Sequence, residues 1–382
     1  MARKALWQNG LLLALSCGVS LLVAEAVVAA WFPQNLGTWG MTRNGITSHV
    51  PNLSVYLPQF KQEISINSHG MRDREHAVAK EPGTIRILVL GDSFMEANQV
   101  AFKDSFSSLL EAKLKSEGSG QVEVINAGVS GWGTDDELTY LTRYGFRFHP
   151  DLVLVGMTLH NDVQDNLMEE FHAYADGVLR EKPVEEIPLV DFGLLQVKEF
   201  LASHSHLYQL LLRAKRSSWI RNEQKRLDAH VVGLLEKEQT VSMKRGWNMT
   251  RLLFRKMKQR SAEIGAPLVV FLIPLRIQIS DHNLQSFLEG HDMTRDQIMW
   301  DQPQRTMMQI GSVEGIMVID LLADFRQKEK MAPDQLYLAG DGHWTAAGHR
   351  LASDLVAHRL ITSGVLPVSV VPPSTNRDRL RL

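Results

Sequence analysis

Three residue types that together support acyl transfer occur in this chain: a serine near residue 90, and an acid and a histidine near residue 340. Ser93 follows Gly91 and Asp92, while Asp341 and His343 are separated by a single residue. A serine hydroxyl is a weak nucleophile that needs a base, and a histidine whose tautomer a carboxylate fixes is such a base. Ser93, His343 and Asp341 are therefore candidates for nucleophile, base and orienting acid.

Two further positions are candidates for binding an oxyanion. Gly131 lies in a glycine-rich stretch, and Asn161 is followed by Asp162. The backbone N–H groups of Ser93 and Gly131 and the side-chain amide of Asn161 could hold the negative charge of a tetrahedral intermediate. Each residue taken alone is equally typical of a turn or a helix cap, and Asp341 is also a candidate cap for the last helix. The acyl-transfer hypothesis depends on their joint occurrence.

The elements that must position these residues are short buried strands. Apolar runs predict strands at 87–90, 122–125, 152–155, 268–273 and 316–319. Helical spacing alternates with them, at 106–114, at 249–264 with Gly265 as its stop, and from the cap Thr345 to Gly364. Such alternation predicts an α/β fold with a mostly parallel sheet and helices on both faces. Because parallel strands share one carboxyl edge, the candidate residues should converge there.

The motifs and their order resemble the SGNH (GDSL-type) hydrolase family. Gly91-Asp92-Ser93, Gly131, Asn161-Asp162 and Asp341-Gly342-His343 follow the order of the four family blocks. The resemblance covers residues 85–364 apart from an insertion, and it implies a flavodoxin-like three-layer fold. It assigns Ser93 as nucleophile, Gly131 and Asn161 as oxyanion residues, His343 as base, Asp341 as orienting acid and a structural role to Asp92. It implies no metal and no organic cofactor.

The chain departs from the family pattern at two blocks. The third block usually reads Gly-x-Asn-Asp, but this chain has Leu159-His160-Asn161-Asp162, so His160 should narrow the site. The last block usually reads Asp-x-x-His, but here it is Asp-x-His-Trp. That shorter form is similar to membrane-anchored SGNH proteins that O-acetylate alginate and similar polysaccharides. Met95 stands where the Gly-x-Ser-x-Gly elbow of α/β-hydrolases would need glycine.

The N-terminal segment, residues 1–33, predicts a signal anchor. Arg3 and Lys4 precede a mostly apolar stretch at 11–32 that is long enough to cross a bilayer, and Glu25 is its one charge. Positive charge before the span places the amino terminus in the cytoplasm and the rest of the chain in the periplasm. A signal peptide cleaved after residues 28–30 is the alternative. A lipoprotein signal at Cys17 is disfavoured because much of the apolar run follows it.

The remaining segments complete the predicted organisation. Residues 34–84 form a membrane-proximal connection with one short extended piece near 64–66, and residues 85–364 form the hydrolase domain. Within that domain residues 163–246 form a helical insertion or cap whose basic cluster (213–226) is a solvated face. Residues 365–382 form a disordered tail. His204 and His206 have no third ligand nearby, which predicts surface histidines and no metal site.

Composition excludes some classes and leaves three functions open. A net charge of −2 shows no excess of basic residues of the kind that binds nucleic acid, and a single cysteine excludes an intramolecular disulfide. The leading hypothesis is a serine esterase that cleaves a small acyl ester or an acylated carbohydrate. The second is an O-acetyltransferase, or deacetylase, on a cell-envelope or exported polysaccharide, with a sugar hydroxyl replacing water in the transferase. The third is a catalytically silent carbohydrate-binding protein that keeps the fold.

Overall fold

A computed structural model describes residues 2–183 and 186–366, so most of the predicted tail at 365–382 lies outside the described residues. Its strands are β1 (Trp39–Met41), β2 (Thr47–His49), β3 (Ser54–Leu57), β4 (Gln62–Ser65), β5 (Thr84–Gly91), β6 (Gln121–Asn126), β7 (Leu152–Thr158), β8 (His172–Ala175), β9 (Val178–Glu181), β10 (Leu268–Ile273) and β11 (Met317–Asp320). Its α-helices are α1 (Ala2–Trp31), α2 (Ser93–Glu96), α3 (Phe106–Ser116), α4 (Thr134–Arg143), α5 (Asp162–Asp165), α6 (Leu189–His204), α7 (His206–Leu235), α8 (Val241–Glu263), α9 (Arg276–Ile279), α10 (Asp281–Gly290), α11 (Gln302–Glu314), α12 (Leu322–Met331) and α13 (Ala346–Ser363).

The central sheet is parallel and has five strands in the spatial order β6-β5-β7-β10-β11. Numbered along the chain this is the order 2-1-3-4-5, which is that of flavodoxin-like folds. The order reverses between β5 and β7, and open sheets of this kind bind ligands beyond the carboxyl ends of their strands at that point. The predicted α/β fold class is confirmed.

Two apolar layers sandwich the sheet because successive strand residues point to opposite faces. Ile87 and Val89 of β5 belong to the core that includes α3, α12 and α13. Leu88 and Leu90 belong to the other core, with α4, α7, α8 and α11. All four side chains are fully buried, and burying each contributes about 1.5–3 kcal/mol.

A one-turn helix, α2, follows Ser93 before the helix predicted at 106–114 begins as α3. Helix α2 ends after one turn at Ala97, which adopts a left-handed conformation with φ of 58°. The buried Arg72 guanidinium donates to the carbonyl oxygens of Glu96, Ala97 and Val100 over 2.6–2.7 Å. These carbonyls are satisfied by Arg72 instead of by a continuing helix, so the chain turns before α3 begins.

The connection at 34–84 is more ordered than predicted. Strands β1 and β2 form one antiparallel hairpin, and β3 and β4 form a second with its own small core. Residues 67–70 form a turn, in which the Gly70 N–H donates a hydrogen bond to the Asn67 carbonyl. Asp73, at the end of this segment, accepts a 2.7 Å bond from the N–H of Asn126 at the end of β6. The segment is thus hydrogen-bonded into the sheet.

The insertion at 163–246 differs from the prediction in containing a hairpin, β8–β9, in addition to α6 and α7. Asp135 at the start of α4 holds this hairpin, accepting bonds from the N–H groups of Phe171 and His172 and from the His172 ring. A buried acceptor on the domain therefore orders the strands, a long-range contact that local sequence pattern does not contain. The following helix, α8, begins at Val241 because the Thr240 side chain caps it. Most side chains of the predicted basic cluster, those at 216–226, lie outside what the structure describes.

Helix α1 projects from the domain. Residues Trp7–Trp31 are long and apolar enough to cross a membrane, and only 6% of the most apolar window is buried. That low burial distinguishes α1 from the core helix of a globular domain. A signal sequence near the N-terminus passes the same test of length and apolarity.

Candidate active site

Ser93, His343 and Asp341 lie together at the carboxyl edge of the sheet. Ser93 Oγ is 2.7 Å from His343 Nε2, and His343 Nδ1 is 2.6 Å from Asp341 Oδ1. A carboxylate only accepts hydrogen bonds, so Nδ1 carries the proton and Nε2 is left to accept from the serine hydroxyl. The arrangement is that of a nucleophile, base and orienting acid across 250 residues of chain.

The loop before α13 brings Asp341 to the ring of its near neighbour. Gly342 has a φ of +85°, a conformation open to glycine, and this turn directs both flanking side chains to the same side. The N–H of Leu338 donates to the carbonyl of His343 and closes the loop. Thr345, not Asp341, caps α13, with its hydroxyl accepting from the Gly348 N–H over 3.3 Å. The alternative of Asp341 as helix cap does not describe this structure.

The electrostatics of Asp341 suit an orienting acid. Partial burial of the carboxyl opposes ionisation, but the hydrogen bond and the charge of His343 outweigh burial and hold the pKa of Asp341 below its ordinary value. The ring of Phe94 lies 5.0 Å from that of His343, between centroids, and also contacts Trp344 edge-on. Trp344 is fully buried, so His343 packs against a Phe94 ring that is itself supported by a buried aromatic side chain.

Asp92 shapes the turn that presents Ser93. Its Oδ1 accepts from the Phe94 N–H at 3.0 Å and from the Thr158 hydroxyl at 2.9 Å, which ties the end of β5 to the end of β7. Within the described residues the backbone N–H of Ser93 donates to no protein acceptor. It therefore remains available to an oxyanion, as the first free donor of α2.

Gly131 and Asn161 line the same cavity as Ser93. Gly131 has a φ of +85°, and in the described part of the chain its N–H donates to no protein acceptor. The Asn161 side-chain amide donates to Asp165 over 2.7 Å. The Asn161 side chain also hydrogen-bonds the buried Asp92 carboxyl, so contacts with two acidic side chains hold it in place.

A buried carboxylate holds the Gly131 loop. Glu96, at the end of α2, accepts from both the N–H and the hydroxyl of Ser130, the residue before Gly131. Its other oxygen accepts from Asn98 and lies 3.7 Å from Nε2 of His49, which is on β2. The β1–β2 hairpin thus packs against the group that positions the Gly131 loop.

The cavity above Ser93 has a volume of about 760 Å³. Its wall includes His160, whose burial, reinforced by the nearby charge of His343, lowers the pKa of the His160 ring. Asp228 of α7 and Arg276 of α9 also face it. The Arg276 guanidinium makes no hydrogen bond or ion pair to another described residue, so it is free to contact a substrate.

Three carboxyl groups lie beneath the site. Burial is the largest cause of a raised pKa for Asp92, Glu137 and Asp162, and the negative charge of Asp92 raises the pKa of the other two further. Both Glu137 oxygens are buried and have no partner among the described residues. Burial therefore favours the neutral form of Glu137 and Asp162, relative to an exposed carboxyl.

The structure brings together all five residues that the sequence predicted, and it adds others. Sequence reasoning missed Thr158, Glu96, Asp228 and Arg276. Arg276 follows the fourth strand at the same sheet edge, and that position was a usable signal. Glu96 and Asp228 reach the site through tertiary packing and left no local signal. Across the described residues no group of three or more histidine, cysteine or acidic side chains could hold a metal ion.

Residues 235–370 match the family described as the SGNH hydrolase-like domain of the acetyltransferase AlgX. These residues are thus similar to an SGNH hydrolase-like domain, and the family resemblance predicted from the motifs is confirmed. The matched residues, about a third of the chain, include Asp341 and His343, whereas Ser93, Gly131 and Asn161 precede them. A comparison with curated protein sequences gave no match.

Similar solved structures include TesA, with 14% identity over 74% of this chain and 99% of that chain and a TM-score of 0.38. The acetyl xylan esterase AlAXEase is 14% identical over 72% and 100%, with a TM-score of 0.40. A catalytic mutant of the acetylxylan esterase Axe2 from Geobacillus stearothermophilus is 11% identical over 74% and 96%, with a TM-score of 0.41. At these identities and TM-scores the likeness says nothing about substrate or activity.

Proposed function

We propose that the chain is a serine esterase that cleaves acyl esters through a covalent acyl-Ser93 intermediate. The observation that carries the proposal is the continuous pair of hydrogen bonds from Asp341 through His343 to Ser93, at 2.6 and 2.7 Å. Both distances lie within reach for proton transfer to a base. The AlgX family match supports a hydrolase-type or acetyl-modifying role.

The chemistry follows from these positions. Ser93 Oγ attacks the ester carbonyl carbon while its proton passes to His343 Nε2, and the carbonyl oxygen becomes an oxyanion. The N–H groups of Ser93 and Gly131, with Asn161, bind that charge. Collapse breaks the bond to the alcohol, which leaves with the proton from His343. Water then attacks the acyl carbon and gives its proton to the same base. The bond between the acyl carbon and Ser93 Oγ breaks, His343 returns the proton to Oγ, and the carboxylic acid is released.

A second candidate is O-acetyl transfer to a carbohydrate. The matched family is named for an acetyltransferase, and a cavity of about 760 Å³ leaves room for a sugar beside an acyl group. The intermediate is the same in both candidates. A carbohydrate hydroxyl in place of water would accept the acyl group, so the acceptor that reaches acyl-Ser93 decides the reaction.

The proposal includes the location of the enzyme. We place α1 in the membrane as an uncleaved anchor with the hydrolase-like domain on the periplasmic side. The length of the apolar segment and its exposure support the anchor, and Arg3 and Lys4 before it support the orientation.

A fluorophosphonate probe tests the nucleophile. It should label the full-length protein, Ser93→Ala should abolish labelling, and Ser116→Ala, at an exposed helix end, should leave labelling unchanged. Ester cleavage should fall at least about a thousandfold in Ser93→Ala. Cleavage retained within tenfold would exclude Ser93, and a folded but unlabelled wild-type protein would favour a silent binding protein.

A partition experiment then separates the two candidates. Protein is incubated with p-nitrophenyl acetate, with and without an oligosaccharide acceptor. An esterase releases acetate at the same rate in both, whereas a transferase yields acetylated oligosaccharide, measured by mass spectrometry, and Ser93→Ala yields neither.

A further inference from the structure

Helix α6 exposes apolar side chains along one face. Val190, Leu194, Val197 and Leu201 recur at helical spacing, and the first three are 77%, 58% and 56% exposed. Leu189 and Phe200 widen the same stripe and are 71% and 60% exposed. Surface helices of globular domains turn such a stripe toward the core, so this orientation is reversed.

The orientation of α6 is fixed by its opposite face. Glu199 accepts a 2.8 Å hydrogen bond from the Met41 N–H of β1, and Ser203 is buried. The polar side chains Asp191 and Lys198 lie beside the apolar stripe on the solvent side of the helix. The inner face of α6 is therefore bound to the rest of the protein, whereas the apolar outer face is exposed.

The end of α6 is fastened to α1. We call residues 202–208, where α6 passes into α7, the elbow. Glu25 of α1 accepts from the hydroxyl of Ser205 at 2.6 Å and from the N–H groups of His206 and Leu207 at 2.7 and 2.9 Å. The carboxylate thus caps the free N–H groups of α7. A second link runs from the Gly37 N–H to the Ala202 carbonyl, at 2.8 Å.

The position of Glu25 along α1 sets the depth of the elbow. Glu25 lies six residues before Trp31, which is about 9 Å of helix. Trp7 and Trp31 bound the apolar span and are 81% and 70% exposed, as expected for aromatic residues at the two membrane interfaces. Between them α1 measures about 36 Å, against about 30 Å of hydrocarbon, so with the two tryptophans placed symmetrically Glu25 lies about 6 Å below the hydrocarbon boundary. A carboxylate there needs partners, and the elbow supplies three.

From these contacts we infer that the elbow and the outer face of α6 are embedded in the bilayer that holds α1, at the boundary between the lipid headgroups and the acyl chains. The inference rests on the proposed anchoring of α1, because the fastened elbow shares the depth of Glu25. An interfacial helix buries its apolar face about 5–10 Å into this region, which matches the depth that Glu25 imposes. The exposed side chains of Trp31, Phe32 and Trp39 lie on the chain segment that leaves α1 and runs to β1 beside α6. A lipid surface therefore contacts the insertion whose next helix, α7, lines the active-site cavity through Asp228 and Val231.

Spin-label accessibility in vesicles tests the inference. The full-length chain, with Cys17→Ser, is labelled at Leu194→Cys or Val197→Cys and reconstituted into phosphatidylcholine–phosphatidylglycerol vesicles. Collision rates with oxygen, which concentrates in lipid, and with a water-soluble nickel chelate are compared. Lys198→Cys, at the polar edge of the same helix, and Val313→Cys, an exposed apolar position of α11 (67% exposed), are the controls.

We expect the ratio of the oxygen collision rate to the nickel-chelate collision rate to be at least about threefold higher for labels at Leu194 and Val197 than for the label at Val313. The ratio for the label at Lys198 should lie between these values. Water-like values at Leu194 and Val197 would overturn the inference. Protection from both reagents would also overturn it, since a second copy of the chain would then cover the stripe. A label on the native Cys17 reports the anchor separately: lipid-like Cys17 with water-like Leu194 rejects only the interfacial helix, whereas water-like Cys17 rejects the anchor itself. Fluorophosphonate labelling of the same vesicles shows whether the catalytic proposal stands independently.

Discussion

Replacing Asp341 by asparagine separates an orienting acid from a loop residue. In the wild-type protein the Asp341 carboxylate accepts from Nδ1 of His343 at 2.6 Å and leaves Nε2 facing Ser93. The amide introduced by Asp341→Asn is the same size but offers an N–H donor, which favours the tautomer with Nε2 protonated. That tautomer cannot take the serine proton.

The size of the loss follows from the charge as well as the tautomer. When His343 takes the proton, a carboxylate at a charge separation of about 4 Å stabilises the cation by about 4 kcal/mol at an effective dielectric constant of 20. Each 1.36 kcal/mol of barrier is tenfold in rate, so the loss in kcat/KM should be about a thousandfold. The side chains of Asp341 and His343 are 22% and 23% exposed, and this solvent access argues against a larger value.

The assay is kcat/KM for acetyl ester hydrolysis, measured beside the thermal midpoint. Asp334→Asn is the matched control, because Asp334 is exposed, lies in the preceding loop and has a φ of 56° that asparagine tolerates. It should keep full activity. A rate for Asp341→Asn within tenfold of wild type, with unchanged Tm, would refute the reasoning and leave a Ser93–His343 dyad.

Three further predictions concern the supporting groups and the topology. Glu96→Gln replaces an oxygen that accepts hydrogen bonds from Ser130 by an N–H donor, so kcat should fall about tenfold to a hundredfold with little change in KM. The control Glu117→Gln, at an exposed position, should keep both kinetic constants. An unchanged kcat in Glu96→Gln would contradict a positioning role for Glu96. Burial raises the pKa of Glu137 in the folded state, so unfolding releases a proton at pH above the ordinary value of 4.5, and the free energy of unfolding falls as pH rises from there. Glu137→Gln should therefore raise Tm increasingly between pH 5 and 8. A difference in Tm that calorimetry finds independent of pH would argue against a neutral Glu137. Protease added to intact spheroplasts should digest the hydrolase-like domain; its protection, or a mature chain starting near Trp31 on sequencing, would contradict the anchored topology.

Local pattern predicted most of the framework. The run at 268–273 became β10 without a change of boundary, and β5 ends at Gly91 as predicted. Thr345 caps the last helix and Gly364 ends it, since a hydroxyl cap and a left-handed glycine act on their immediate neighbours. Such features depend on contacts within a few residues along the chain, so local sequence is enough to predict them.

Other features required contacts between distant segments. The break after α2 is set by Arg72, which is 24 residues before the first carbonyl it binds, and the hairpin β8–β9 is held by Asp135. Neither partner leaves a periodic signal, because a single buried hydrogen-bonding group acts across space. The prediction of a helical insertion therefore missed strands β8 and β9, and the prediction for 34–84 missed the two β-hairpins of that segment.

The sequence by itself determined the residue types of the site, their order along the chain and the strand ends on which they lie. Only the tertiary structure decided that Asp341 contacts His343 and does not cap α13, because the direction of a side chain across Gly342 depends on a positive φ and on the closure of the loop. It also decided that Glu25 binds the elbow, because the hydrogen-bond donors available to a carboxylate in an apolar helix are those that folding places beside it. Local forces fix elements, whereas buried polar groups must find partners wherever the fold places them.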